Sequence, residues 1–273
     1  MNNQIKLTGL RTNDRIIADS ISFITANFRV LIFPLLKLVL PLLLLIMLAE
    51  SYFNYNYFSR GKSMFDYLFE GSYYSVAGSI LSYLLISLFI LGGLTLRYRN
   101  EEITPAAIIR IVRVVSLPFL ILTILFFVSA AFSVILLFIP LLFLYVLYSV
   151  AIVELVVKEQ SIFAAVRNAH QLLKRNYWKT FWLTMALGLI QFFASFIFEM
   201  PSTVYSLTYG LHDVSQSPGA LEIAALQFFE LLNRFAYVMS VIFWTGILMQ
   251  YFNLRERKVG DVLLDQIEEK FGN

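Results

Sequence analysis

Long apolar segments separated by short polar ones dominate the chain, and they predict membrane-spanning helices. A helix needs about 20 apolar residues to cross the roughly 30 Å of hydrocarbon in a bilayer. Between Arg113 and Glu154 lie 40 residues without a charge. As one helix they would measure about 60 Å, so we expect two crossings there. The pattern predicts an all-α, polytopic protein, a single integral membrane domain over residues 1–273 with a short amphipathic cytoplasmic tail at 254–273. Its six transmembrane helices are about 30–49, 75–96, 117–136, 138–157, 180–200 and 233–252, the last extended towards its N-terminal end from Ala220.

Lysine and arginine are distributed unevenly between the two sides that these spans define. Seventeen of the 21 fall on the side of both termini, whereas only Arg60 and Lys62 fall in the loops on the other side. Lys37 and Arg234 lie within spans. Because cytoplasmic loops carry an excess of Lys and Arg, we expect both termini in the cytoplasm, with the chain in a bacterial inner membrane.

Each odd-numbered span is preceded by a stretch whose apolar residues recur at helical spacing, with basic or polar residues on the opposite face. The apolar positions are Ile16, Ile17, Ile21, Ile24 and Phe28 before span one, Ile108, Ile111, Val112 and Val115 before span three, and Ile162, Val166, Ala169 and Leu173 before span five. Short basic helices of this kind lie in the membrane interface. We therefore expect cytoplasmic amphipathic interfacial helices before spans 1, 3 and 5, each joined to its span by a bend.

The order of interfacial helix, span and return span occurs three times, near residues 13–97, 103–157 and 160–253. Two junctions are also alike, Asn27-Phe28-Arg29 before span one and Asn176-Tyr177-Trp178-Lys179 before span five. These features favour a structural pseudo-repeat. The alternative is that any interfacial lead-in needs a basic and aromatic junction.

Two segments carry more specific motifs. Glu159–Lys179 reads EQSIFAAVRNAHQLLKRNYWK, and Tyr251–Asp261 reads YFNLRERKVGD. Together they resemble the membrane domain of bacterial glycerophosphoryl diester phosphodiesterases and related six-helix membrane proteins. In that group an acidic residue ends span four, an amphipathic helix leads to an Asn-aromatic-Trp junction, and the last span exits through aromatic-x-x-Arg-x-Arg.

The resemblance implies the six-helix architecture and not the hydrolase activity. The chemistry of that family belongs to a soluble, metal-dependent catalytic barrel attached after the membrane domain. Only about 20 residues follow the predicted span six here, too few for a barrel. We therefore do not expect the diesterase reaction.

Composition narrows the remaining classes of function. Hydrophobic residues make up 59% and charged residues 14%, against roughly 25% charged in soluble chains. The chain has no cysteine, and its two histidines, His170 and His212, are far apart. It has no His-Glu-x-x-His, Gly-x-Ser-x-Gly or P-loop motif. We expect no enzymatic activity, no cofactor and no metal, with membrane lipids and other membrane-protein subunits as partners and no nucleic acid.

Charged residues in or near the spans are candidate functional groups, because burying a charge in lipid is costly. Lys37 lies about two turns inside span one, and Glu154 lies near the cytoplasmic end of span four. One interpretation pairs them, and the other lets Lys37 extend to the interface. Glu230 and Arg234 are four residues apart with the acid first, an order that favours a helical ion pair. A polar pathway is the alternative there.

The predicted outer loop Glu50–Ser72 is rich in aromatic residues. Candidate partner-docking residues are Tyr52, Phe53, Tyr55, Tyr57 and Phe58. An aromatic belt at the membrane interface is the alternative explanation.

These observations favour a non-catalytic inner-membrane protein that acts as a subunit or scaffold of a larger cell-envelope complex. The first alternative is a transporter of a lipid or small solute, since transporters show internal repeats and broken helices. The second is a lipid-modifying enzyme, for which the chain offers no acidic or histidine cluster. A polar cavity between spans would favour transport.

Overall fold

The computed structural model describes residues 7–58, 60, 73–135, 139–210 and 220–271. Within these residues the fold is entirely helical, with no strand, which agrees with the predicted all-α class. The elements are α1 (Asn13–Ala26), α2 (Phe28–Phe58), α3 (Tyr73–Tyr98), α4 (Pro105–Ile135), α5 (Ile139–Lys158), α6 (Ile162–Leu173), α7 (Tyr177–Gly210), α8 (Ala220–Ala236), a 3-10 turn (Tyr237–Met239) and α9 (Ser240–Phe271).

The six predicted spans are confirmed as helices long and apolar enough to cross a membrane. They cover Phe28–Tyr57, Tyr73–Tyr98, Pro105–Ser133, Pro140–Lys158, Tyr177–Val204 and Phe228–Gly260. The sixth span is composite, because α8, the 3-10 turn and α9 follow one another without a loop.

Even-numbered and odd-numbered spans occupy different positions in the bundle. Of the residues in the apolar stretch that identifies each span, 61%, 56% and 78% are buried in spans two, four and six respectively. In each of spans one, three and five the buried share is 28%. Spans two, four and six therefore form the inner core, and the other three surround it. The same alternation in each predicted unit is the arrangement that a threefold pseudo-repeat would give.

Two of the three predicted lead-in helices are separate elements. α1 ends at a turn where the Asn27 side chain donates to the Phe23 carbonyl at 2.8 Å, a local bond that competes with helix continuation. α6 is followed by a turn at residues 174–176 before α7 begins. α1 buries Ile16, Phe23 and Ile24, together with Ser20.

The middle lead-in, which the sequence predicted as an interfacial helix before span three, is not a separate element. α4 runs from Pro105 to Ile135 without a break, although Pro118 lies inside it. Its first turns still bury Ile108, Ile111 and Val115. The apolar stripe was correctly identified, but no residue between it and the span ends the helix.

The two ends of the bundle differ in charge. At the basic end, Arg99 donates to the Val157 carbonyl at 3.0 Å, and Lys258 donates to Gln171 at 3.1 Å. The opposite end, where α2 ends and α3 begins, carries Glu50 and Glu230. We call it the acidic end.

Candidate functional site: a charged cluster beside an aromatic cavity

Three charged side chains from two spans meet near the acidic end. Glu230 and Arg234 form the predicted helical ion pair, with 3.2 Å between Arg234 Nη2 and Glu230 Oε1. The same Nη2 also contacts Glu50 Oε2 on α2. The sequence predicted the first pair through its four-residue spacing but missed Glu50, which lies 184 positions away.

Gly78 on α3 makes room for this cluster. A Cβ at position 78 would lie 1.6 Å from Glu50 Oε1 and 3.2 Å from Arg234 Nη2. Any side chain there would displace the Glu50 carboxylate. Span two can therefore pack against the cluster only because position 78 carries no side chain.

The three members differ in exposure. The side chains of Arg234 and Glu50 are 1% and 7% exposed, whereas that of Glu230 is 26% exposed. With all three groups ionised, two carboxylates and one guanidinium leave a formal charge of −1. Among the described residues, Glu50 Oε1 and two Arg234 nitrogens, Nε and Nη1, have no hydrogen-bond partner.

A cavity of about 460 Å³ opens beside the cluster. Its size falls in the range of about 300–1,000 Å³ typical of ligand pockets. Among the described residues, its lining combines six aromatic rings, two serines and three aliphatic side chains and includes no charged residue. The lining residues are Ser75, Val76, Ser79, Ile80, Tyr83 and Leu84 of α3, Phe126 and Phe127 of α4, Tyr145 and Tyr148 of α5, and Tyr237 of the 3-10 turn.

The rings hold defined positions. Tyr83 and Tyr237 meet edge to face, with 5.7 Å between centroids and 82° between planes. Phe126 stacks on Tyr148 at 4.5 Å, and the Tyr148 hydroxyl shares a 2.7 Å hydrogen bond with Thr123. The walls are therefore preorganised.

Ser75 connects the cavity to the charged cluster. It lines the cavity, and its hydroxyl donates to Glu230 Oε2 at 3.4 Å. From Ser75 to Leu84 the cavity follows nine residues of α3, which is about 14 Å. One end of the cavity is thus beside a carboxylate, and the rest is aromatic and aliphatic.

Span six changes from α-helix to a single 3-10 turn where it meets the cavity. α8 ends at Ala236, and the 3-10 turn that follows places Tyr237 in the lining. Ser195 of α7 donates to the Ala236 carbonyl at 3.2 Å. A side chain from another span therefore bonds to the backbone beside this turn.

Glu154, the second candidate carboxylate, lies in a different setting at the basic end. Its Oε1 accepts hydrogen bonds from Lys158 at 2.6 Å, Gln160 at 2.9 Å and Asn168 at 2.9 Å. Asn168 belongs to α6, so this fully buried carboxylate fastens the amphipathic helix to α5. The arrangement is structural.

The predicted pair between Lys37 and Glu154 is wrong. Glu154 pairs with Lys158 instead, and Lys37 is exposed on α2. Similar depth in the membrane did not imply proximity, because depth leaves the position around the bundle undetermined.

The aromatic candidates belong to a helix and not to a loop. α2 continues to Phe58; the side chain of Phe58 and residues 61–72 lie outside the described residues. Tyr52 and Tyr55 are 66% and 64% exposed. Phe53 stacks on Tyr74 at 4.5 Å, joining α2 to α3. Tyr57 is half-buried.

The motif at the end of span six joins the first residues of the described chain to the bundle. Asn253 Oδ1 accepts from the Arg11 backbone N–H at 3.1 Å, and Asn253 Nδ2 donates to the Arg11 carbonyl at 3.2 Å. Glu256 accepts from the Gly9 N–H at 2.8 Å. This gives the Tyr251–Asp261 motif a structural role.

No protein-family model, curated protein or solved structure matches the chain. The resemblance to the diesterase membrane domain therefore stays a prediction.

Proposed function

We propose that this chain is a transporter that carries an amphipathic molecule, a lipid or small solute, through the cavity between spans two, three, four and six. The observation that supports this most strongly is the cavity itself. One end, at Ser75, lies beside the Glu230 carboxylate, and the rest of its length of about 14 Å is mostly aromatic and aliphatic. An amphiphile has the same division. Val76, Ile80 and Phe127, all in its lining, are also largely exposed on the bundle surface, so an apolar chain can enter from the side.

The 3-10 turn within span six supports movement as well as binding. Segments of this kind within helices often mark hinges. Tyr237 lies in that turn and in the cavity wall. A change in the angle between α8 and α9 would therefore reshape the cavity directly.

In this proposal the chain lies in a bacterial inner membrane with its basic end, and both termini, in the cytoplasm. The positive-inside rule supports this orientation. Because the chain has no cysteine, Arg60→Cys and Ser161→Cys each provide a single thiol. An impermeant maleimide applied to intact spheroplasts should label position 60 and leave position 161 unlabelled. The reverse pattern would invert the proposed orientation.

The helices α1 and α6 are the proposed interfacial elements at the basic end. Phe163 is 84% exposed on α6, next to the exposed basic face that carries Arg167. An exposed aromatic ring beside basic residues suits the boundary between headgroups and acyl chains.

A dithionite protection assay tests the transport proposal. Purified protein is reconstituted with a trace of lipid labelled with a nitrobenzoxadiazole group on its acyl chain, and the fluorescence remaining after dithionite is measured. Wild-type protein should expose nearly all the label, whereas label in the inner leaflet stays protected without transport. Ser79→Trp, which places a bulky ring inside the cavity, should restore protection. Ala77→Trp, exposed on the same helix and outside the lining, should not. Equal activity of both variants would contradict transport through this cavity.

The second candidate function is that of a non-catalytic subunit or scaffold of an envelope complex. The exposed rings of Tyr52 and Tyr55 favour it, because exposed aromatic clusters suit protein contacts. A photo-crosslinking amino acid at position 55 tests it in native membranes. A single discrete protein adduct would support a partner surface, and adducts to lipid alone would contradict it.

A further inference from the structure

Glu230, the partly exposed carboxylate beside the cavity, shares its positively charged partner Arg234 with a second carboxylate, Glu50. With all three groups ionised the cluster carries a formal charge of −1 near the acidic end, and Arg234 is already shared between Glu50 and Glu230. An excess charge in surroundings of low polarity is unfavourable unless a counter-charge is nearby. The cluster therefore favours a cation at whichever point a ligand can reach it.

Glu230 is that point. Arg234 is almost fully enclosed and Glu50 nearly so, whereas about a quarter of the Glu230 side chain is exposed. Its Oε2 lies 3.4 Å from the Ser75 hydroxyl, and Ser75 lines the cavity. A headgroup at that end meets an acid before it can approach the guanidinium.

The rest of the cavity is compatible with a positive charge, and its hydroxyl groups carry no net charge that would favour an anion. The part of the chain that the structure describes contributes no Lys, Arg or His to its lining. The faces of aromatic rings carry negative potential and attract ammonium groups. A third acid, Glu199, is half-buried near the same end, where Ser202 donates to its carbonyl at 2.8 Å and to Asn233 at 2.9 Å.

We propose that the ligand of this cavity is a cationic amphiphile, an ammonium headgroup at Glu230 and Ser75 with its apolar chain along the aromatic wall towards Leu84. This inference rests on the proposed function and names its substrate class. It places the positive charge within ion-pair distance of Glu230 Oε2. The apolar chain then occupies the space between α3, α4 and α5.

Equilibrium binding to protein in lipid nanodiscs tests the proposal. The probe is tritiated dodecyltrimethylammonium, and saturable binding is measured relative to empty discs. Dodecyl sulfate serves as a competitor with the same chain and the opposite charge, and dodecanol serves as a neutral one. We expect saturable binding of the ammonium, with both competitors at least tenfold weaker than unlabelled dodecyltrimethylammonium.

Substitutions show which residues the binding of the ammonium depends on. Glu230→Gln should weaken ammonium binding at least tenfold, and Glu230→Asp, which keeps the charge, should retain most of it. Ser79→Trp should abolish binding, while Ala77→Trp should leave it unchanged. The competition between headgroups uses wild-type protein alone, so it remains decisive if Glu230→Gln does not fold.

The outcomes separate this inference from the function on which it rests. Dodecyl sulfate competing as well as the ammonium, or undiminished binding to Glu230→Gln, would overturn the cationic ligand. If Ser79→Trp still blocked binding in that case, the cavity and the proposed transport would stand. Binding unaffected by Ser79→Trp would overturn both.

Discussion

Gly78→Ala should destabilise the protein, although the same change inside a helix ordinarily stabilises it. Glycine in a helix interior is less favourable than alanine by about 1 kcal/mol. At position 78, however, the added Cβ would lie 1.6 Å from Glu50 Oε1 and 2.7 Å from its Cδ. The carboxyl group must move to relieve this overlap, and we expect the movement to disrupt its contact with Arg234.

The expected loss of stability follows from the ion pair between Glu50 and Arg234 that this displacement would break. Removing one partner of a buried ion pair costs about 3–5 kcal/mol. Subtracting about 1 kcal/mol of helix propensity leaves a net loss of about 2–4 kcal/mol. In a chain of this size 1 kcal/mol corresponds to about 2–4 °C in Tm, so the midpoint should fall by about 5–15 °C.

Gly188→Ala is the matched control. Gly188 also lies within a span, and a Cβ there would meet no atom within 4 Å. Its Tm should rise by about 2–4 °C. Thermal unfolding in detergent, followed by circular dichroism, measures both variants.

A double-mutant cycle assigns the effect to the carboxylate. In a Glu50→Ala background the overlap is gone, so Gly78→Ala should lose its penalty. The reasoning is refuted if Gly78→Ala raises Tm as Gly188→Ala does, or if its penalty persists unchanged without Glu50.

The remaining predictions concern the basic end. Glu154→Gln should lower stability by about 1–3 kcal/mol, because a buried carboxylate that accepts three hydrogen bonds is neutralised; Lys37→Met should change it by less than about 0.5 kcal/mol. The same melting assay checks both, and equal losses would restore the pairing that the structure rejects. Asn253→Ala should free residues 7–12, so their amide hydrogens should exchange faster by mass spectrometry while exchange in α3 is unchanged. Unaltered protection at 7–12 would show that Asn253 does not hold this segment.

Hydropathy was sufficient to predict the six spans, since each needs only a long apolar run. Local spacing was sufficient for the Glu230–Arg234 pair and for the separate helices α1 and α6. It failed for α4, where Pro118 lies within a continuous helix because neighbouring spans can support the backbone around a proline.

The rest of the site depends on contacts between spans, which no local pattern records. Glu50 was placed at the start of a loop because a charge normally ends a span, yet α2 continues eight residues beyond it. The tyrosines of the cavity come from α3, α5 and the 3-10 turn, and each alone is an ordinary aromatic residue in an apolar segment. Only their convergence makes a cavity.

The most direct measurement of the central claim is where an amphiphile's chain lies when bound. Protein in liposomes containing a lipid with a mid-chain diazirine is irradiated, digested and mapped by mass spectrometry. We predict adducts on Tyr83, Tyr145 or Tyr148, lost in Ser79→Trp and kept in Ala77→Trp. Adducts confined to the outer faces of the odd-numbered spans, at exposed residues such as Phe132 and Ile197, would contradict the account.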